Sequence, residues 1–165
     1  MKKSVKAFIN VAGVASMNMA VTTNQSTVQK LIQTNLVGTI YCSQLFAPLL
    51  IRQKSGSFIN FSTIAVALAL KGESVYVASK AGVESFSRTF AREMADFNVR
   101  VNCIAPGPIQ TDLLRGITDK QIEKIISQQI IQKQFQKSDV CDLVELLIDE
   151  KSASLSGQVL NIGGV

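Results

Sequence analysis

The fold this sequence predicts is a partial doubly wound α/β sheet, Rossmann-like, of about four parallel strands with flanking helices. Three observations predict it. Short apolar runs recur at residues 7–10, 57–62, 99–105 and 158–162. Each is nearly all apolar rather than alternating, as strands buried on both faces are. Long stretches with apolar residues three and four apart separate the runs, which fits crossover helices better than hairpins.

The elements follow in order. Strand 7–10 leads to Gly13, where backbone can approach whatever lies at the strand end. Residues 24–34 read as a helix and 35–52 as a longer one, with Leu36, Ile40, Leu45, Leu49 and Leu50 as its apolar stripe. Pro48 is expected to bend or interrupt it. Gly56 closes it ahead of strand 57–62. A loop rich in Ala and Leu, 64–72, precedes a helix through Tyr76. On that helix Val83, Phe86, Phe90, Met94 and Phe97 form a core stripe. Ala78, Gly82, Ser85 and Thr89 form a small-residue face suited to close approach of a neighbour. Asn98 reads as its stop. Strand 99–105 runs into Pro106-Gly107. Thr118 and Gln121 have the spacing of a capping box, ahead of a helix to about 132. Ser138 is expected to cap a further helix to 149, and Gly163-Gly164 ends strand 158–162.

Composition bounds the function. The 165 residues make one domain, 1–165, and 47% hydrophobic content is enough for a core. The net charge of +5 comes from scattered Lys and Arg with no long basic block, so no nucleic-acid partner is expected. Cys42, Cys103 and Cys141 form no CxxC pair and read as buried thiols of a cytoplasmic protein. The absence of histidine removes Ser-His-Asp and Cys-His triads and His zinc ligands, so neither a hydrolase nor a metal site is expected. Met1-Lys2-Lys3 and the apolar residues after it imitate a secretory leader, but Asn10 interrupts them and a strand with its turn accounts for them. No apolar run approaches the ~18 residues a membrane span needs, so no membrane partner is expected.

The chemistry gathers at Ser74-Val75-Tyr76-Val77-Ala78-Ser79-Lys80-Ala81-Gly82. On a helix, Lys80 lies four residues past Tyr76 and faces the same way. A phenol normally keeps its proton to a pH of about 10, and a cation beside it lowers that value. Tyr-x-x-x-Lys is therefore a device for exchanging a proton with a substrate near neutral pH. By itself the spacing also describes an ordinary exposed helix.

Four further stretches narrow the reading: Thr63, thirteen residues before Tyr76; Thr34-Asn35-Leu36-Val37-Gly38-Thr39; Pro106-Gly107-Pro108-Ile109-Gln110-Thr111-Asp112; and Asn161-Ile162-Gly163-Gly164. In this order and spacing the chain resembles the short-chain dehydrogenase/reductase family, in the branch with 3-oxoacyl-carrier-protein reductases. The resemblance implies an NAD- or NADP-dependent oxidoreductase acting between a ketone and a secondary alcohol, with an acyl thioester as one candidate. It implies that Tyr76 is the acid or base, that Lys80 lowers the Tyr76 pKa and holds the nicotinamide ribose, that Thr63 stands where the family usually has Ser, and that Asn35 holds a water in a proton relay. Asn10, Gly13, Pro106, Gly107, Ile109 and Thr111 would line the cofactor with Tyr76 and Lys80. Ser62, beside Thr63, is directed by strand alternation to the other face. Where the family has Asn-Asn-Ala-Gly, this chain has Asn10-Val11-Ala12-Gly13.

One family feature is missing. The ten glycines form neither Gly-x-x-x-Gly-x-Gly nor Gly-x-Gly-x-x-Gly, the turn that holds a cofactor pyrophosphate. By resemblance the chain starts at the fourth of seven strands, and the residue that separates NAD from NADP is absent. Strand 7–10 then becomes an apolar edge, for which a second copy or a partner chain is the expected cover. The alternative function is a truncated, inactive relative serving as a binding or assembly subunit.

Overall fold

The structure is a computed structural model that describes residues 4–114 and 116–165. The basic start Met1-Lys2-Lys3 lies outside them. Four strands, β1 (Ala7–Asn10), β2 (Gly56–Phe61), β3 (Val99–Ala105) and β4 (Val159–Asn161), form one parallel sheet in the order β1-β2-β3-β4. The register is fixed by pairs such as Phe8 with Phe58, Phe58 with Val101, and Ile104 with Leu160. The expected fold class stands.

Strand alternation divides the core into two layers. Phe58, Val99 and Val101 meet Leu50, Phe90 and Met94 on one face. Ile59 and Ile104 meet Phe135, Leu147 and Ile162 on the other. The first layer is covered by α2 (Gly38–Gln53) and α4 (Ser74–Ala95), the second by α6 (Lys137–Ile148). Val83, Phe90 and Met94 are buried along α4, with Phe86 and Phe97 packed beside them, as their spacing predicts. The small-residue face of α4 is covered only at Gly82, against Leu36; Ala78, Ser85 and Thr89 are exposed.

Several expectations are corrected. The two helices around Asn35 are one. Asn24 caps α1 (Gln25–Leu31), a π-helical stretch Ile32–Val37 follows, and α2 continues it to Gln53. Pro48 lies inside α2 without interrupting it. The break in regular hydrogen bonding falls at Asn35, where Thr39 Oγ1 donates to the Asn35 carbonyl at 2.7 Å. The joined helix spans 29 residues, Gln25–Gln53, and is long and apolar enough to cross a membrane by length and composition. Its Leu31, Ala47 and Leu50 are buried within the protein instead. The loop after β2 contains a helical turn, α3 (Ala65–Leu68).

The Thr118 and Gln121 capping box starts α5 (Asp119–Ile126), which ends six residues before the expected 132. Helix α6 is capped by Gln136 and Asp139 rather than by Ser138. Of the three thiols only Cys103 is buried; Cys42 is half-buried and Cys141 exposed.

Candidate functional site

Parallel strands deliver their carboxyl ends to one rim, and a cleft of about 1410 Å³ opens there. Beyond Phe61 the chain still follows β3: Ser62 N donates to Ile104 O at 2.8 Å and Ile64 N to Pro106 O at 3.1 Å. Thr63 is thus held beside the Pro106 loop. Alternation sends Thr63 into the cleft and Ser62 under α4, where its Oγ donates to Glu84 Oε1 at 2.7 Å. The Ser62 hydroxyl is thus engaged by Glu84, as alternation predicts, although Ser62 also borders the cleft.

Tyr76 and Lys80 stand in the first turns of α4, and both line the cleft. Both are nearly enclosed, at 6% and 5% exposure. Thr63 Oγ1 accepts from Ala65 N at 3.2 Å, and its side chain lies near enough to Tyr76 to favour the ionised phenol. Lys80 Nζ donates to Phe61 O at 2.8 Å. A Cβ added at Gly13 would lie 3.3 Å from that Nζ and 3.4 Å from Asn35 Oδ1, so the loop after β1 approaches both side chains through a bare Cα.

Asn35 is fully buried and does not line the cleft. Its Oδ1 accepts from Val14 N at 2.8 Å, and its Nδ2 donates to Val14 O and to Ser79 Oγ, each at 2.9 Å. Ser79 Oγ in turn donates to Tyr76 O at 2.7 Å. One carboxamide therefore ties the loop after β1 to the first turn of α4.

The electrostatics depart from expectation. Burial, reinforced by the Glu73 carboxylate, pushes the Tyr76 hydroxyl up to about 12, and only the neighbouring Thr63 side chain acts the other way. The Lys80 ammonium donates to the Phe61 carbonyl at 2.8 Å. Burial also lowers the Lys80 ammonium to about 8. Glu73, 8% exposed at the N-cap of α4, lines the cleft with its own carboxyl raised by burial. Its position three residues before Tyr76 was readable as a helical neighbour, but its burial was not.

Pro106, Gly107, Ile109 and Thr111 line one wall, with Thr111 exposed. Asn10 does not line the cleft; it is 7% exposed, and its Nδ2 is buried without a partner. Ile9 and Val11 at the end of β1 and the α6 residues Val140, Cys141 and Val144 also line the cleft. The cleft can thus offer a protonated phenol, a hydroxyl and an ammonium, with the Glu73 carboxyl beside them and apolar side chains over much of the remaining lining.

Residues 2–164 match a family model described as enoyl-(acyl carrier protein) reductase. The chain is similar to 3-oxoacyl-acyl-carrier-protein reductase FabG of Staphylococcus epidermidis, 32% identical over 98% of this chain and 66% of that protein. It is similar to the enzyme of the same name in Thermotoga maritima, 30% identical over 97% of this chain and 65% of that protein. A solved structure titled short chain dehydrogenase/reductase family protein superposes with a TM-score of 0.88 at 27% identity, over 99% of this chain and 68% of that one. The chain spans about two thirds of the length of the curated relatives it matches.

Proposed function

The chain belongs to the short-chain dehydrogenase/reductase family, and from that premise we propose that it is an NAD- or NADP-dependent oxidoreductase interconverting a ketone and a secondary alcohol. The observation that carries this reading is the convergence of Thr63, Tyr76 and Lys80 on one cleft at the carboxyl ends of the strands.

The residues fit the nicotinamide and ribose half of such a cofactor. Gly13 leaves an open cradle in front of Lys80, and Pro106, Gly107, Ile109 and Thr111 form the opposite wall. Lys80 has a backbone carbonyl as its partner and retains N–H groups to offer a ribose hydroxyl. When bound, the nicotinamide supplies or accepts hydride. Thr63 orients the substrate carbonyl, and Tyr76 gives its proton to the oxygen as charge develops there. A hydroxyl pushed up to about 12 holds its proton at neutral pH, as a donor to the carbonyl oxygen must. Asn35 acts from behind the cleft, fixing Gly13 and the start of α4.

The relatives' names make a 3-oxoacyl thioester the leading substrate, and the apolar lining at Leu113, Leu114, Ile117 and Ile125 suits an acyl chain. The open edge of β1 favours a second reading, a binding or assembly subunit, and in either case a second copy or a partner chain as cover.

Titration of NADH and NADPH into the purified chain, followed by an acetoacetyl-thioester assay, separates the two. The enzyme reading expects binding tighter than millimolar and a loss of about 10²–10⁴-fold in turnover on Tyr76→Phe. No binding at any reachable concentration leaves the subunit reading.

A further inference from the structure

Gln129 follows α5 and is 2% exposed, an unusual degree of enclosure for a glutamine. Its Nε2 donates to Ile131 O at 3.2 Å and Lys133 O at 3.0 Å, which curls residues 129–133 into a tight strap. Its Oε1 is buried and has no hydrogen-bond partner. A buried carbonyl of this kind calls for an explanation beyond packing.

Its surroundings are two glycines. A Cβ built on Gly107 would overlap Gln129 Oε1, and one built on Gly163 would lie 3.2 Å from Gln129 Cδ. The amide plane is therefore wedged between the loop that walls the cleft and the turn that ends β4. The strap is sewn to the same turn by Ile131 N donating to Gly163 O at 2.8 Å, and Ile130 covers Gly164. Gly163 and Gly164 have φ of +93° and +72°, a conformation that favours glycine, so their absence of side chains serves both the turn and the strap.

The geometry points to Gln129 as a positioning residue: its side chain carries the C-terminal Gly-Gly turn onto Gly107 and so sets where the 106–111 backbone faces the cleft. This rests on the reading of that wall as the nicotinamide side. It also gives the Gly163-Gly164 pair, far from the cleft in sequence, a role in shaping it.

A double-mutant cycle on the purified chain tests it. Gly107→Ala should lower the melting temperature by on the order of 5 °C, and most of that loss should vanish in a Gln129→Ala background, where the added methyl has room. An equal loss in both backgrounds overturns the proposal. Gln129→Ser, which also leaves room for the added methyl, takes its place in the cycle if Gln129→Ala does not fold.

Hydrogen exchange then separates positioning from bulk stability. Amides of residues 109–114 should exchange about tenfold faster in Gln129→Met while those of β2 and β3 stay protected. Ile130→Ala, on the same strap but against Gly164, should leave that loop unchanged. If Ile130→Ala loosens it equally, the strap and not Gln129 sets the loop, and the proposal fails. NADH fluorescence on the same variants should weaken about tenfold with Gln129→Met. Absence of NADH binding in every variant, the parent included, counts against the oxidoreductase reading, while the cycle and the exchange still decide the role of Gln129.

Discussion

The two ends of the cleft are built differently. At the α4 end, Asn35, Ser79 and Val14 close a hydrogen-bonded chain behind Tyr76 and Lys80, and Ser62 is held by Glu84. At the β1 end, the strand has no neighbour on its outer side among the described residues, Ile9 and Val11 are 39% and 64% exposed, and Asn10 Nδ2 is buried without a partner. The first end is preorganised by groups that constrain one another. The second presents unpaired backbone and apolar surface along one strand. Chemistry can be fully positioned by one half of a site while binding depends on the other.

The largest effect expected at the preorganised end is loss of turnover in Tyr76→Phe, about 10²–10⁴-fold with unchanged circular dichroism. A variant with near-parental turnover would place the proton donor elsewhere.

Next is the cost of burying Lys80. Its folded pKa of about 8 lies below the ordinary lysine value of 10.5, so below pH 8 both states carry the proton and the penalty is constant. Between pH 8 and 10.5 the folded state releases the proton first, and stability rises with pH. Urea unfolding of the parent relative to Lys80→Met should therefore gain roughly 3 kcal/mol across that window. A flat difference would mean that Lys80 is solvated.

At the open end, Val11→Lys should shift the sedimentation of any assembly toward monomer, because a charge on a sheet edge opposes edge pairing. Assembly that is indifferent to Val11→Lys would move the interface away from β1.

The smallest effect joins the two comparisons inside the cleft. The chain has two tyrosines, so in a Tyr41→Phe background tyrosinate absorbance reports Tyr76 alone. Glu73→Gln should lower that midpoint by removing a neighbouring negative charge. No movement would show that burial alone holds the phenol protonated.

Much of the preorganised end was legible in the sequence. The Tyr76 helix, the 99–105 strand and the Thr118–Gln121 cap follow from periodicity and local chemistry, and alternation along β2 placed Thr63 and Ser62 on opposite faces. What the sequence hid was contact between distant segments. Pro48 looked like a break, yet the irregularity fell at Asn35, where tertiary bonds to Val14 and Ser79 hold the side chain. Tyr76 and Lys80 at helical spacing implied a lowered phenol pKa, yet Lys80 found a strand carbonyl. Gln129 carried no sequence signal, since its partners are glycines 22 and 34 residues away in the chain.

By itself the sequence determined which residues can do proton chemistry and on which elements they ride, because helix and strand periods are local properties of the chain. Only the tertiary structure decided their charge states, their partners and which of them reach the cleft. Burial and long-range hydrogen bonding depend on what the fold brings within a few ångströms, and no spacing along the chain encodes that.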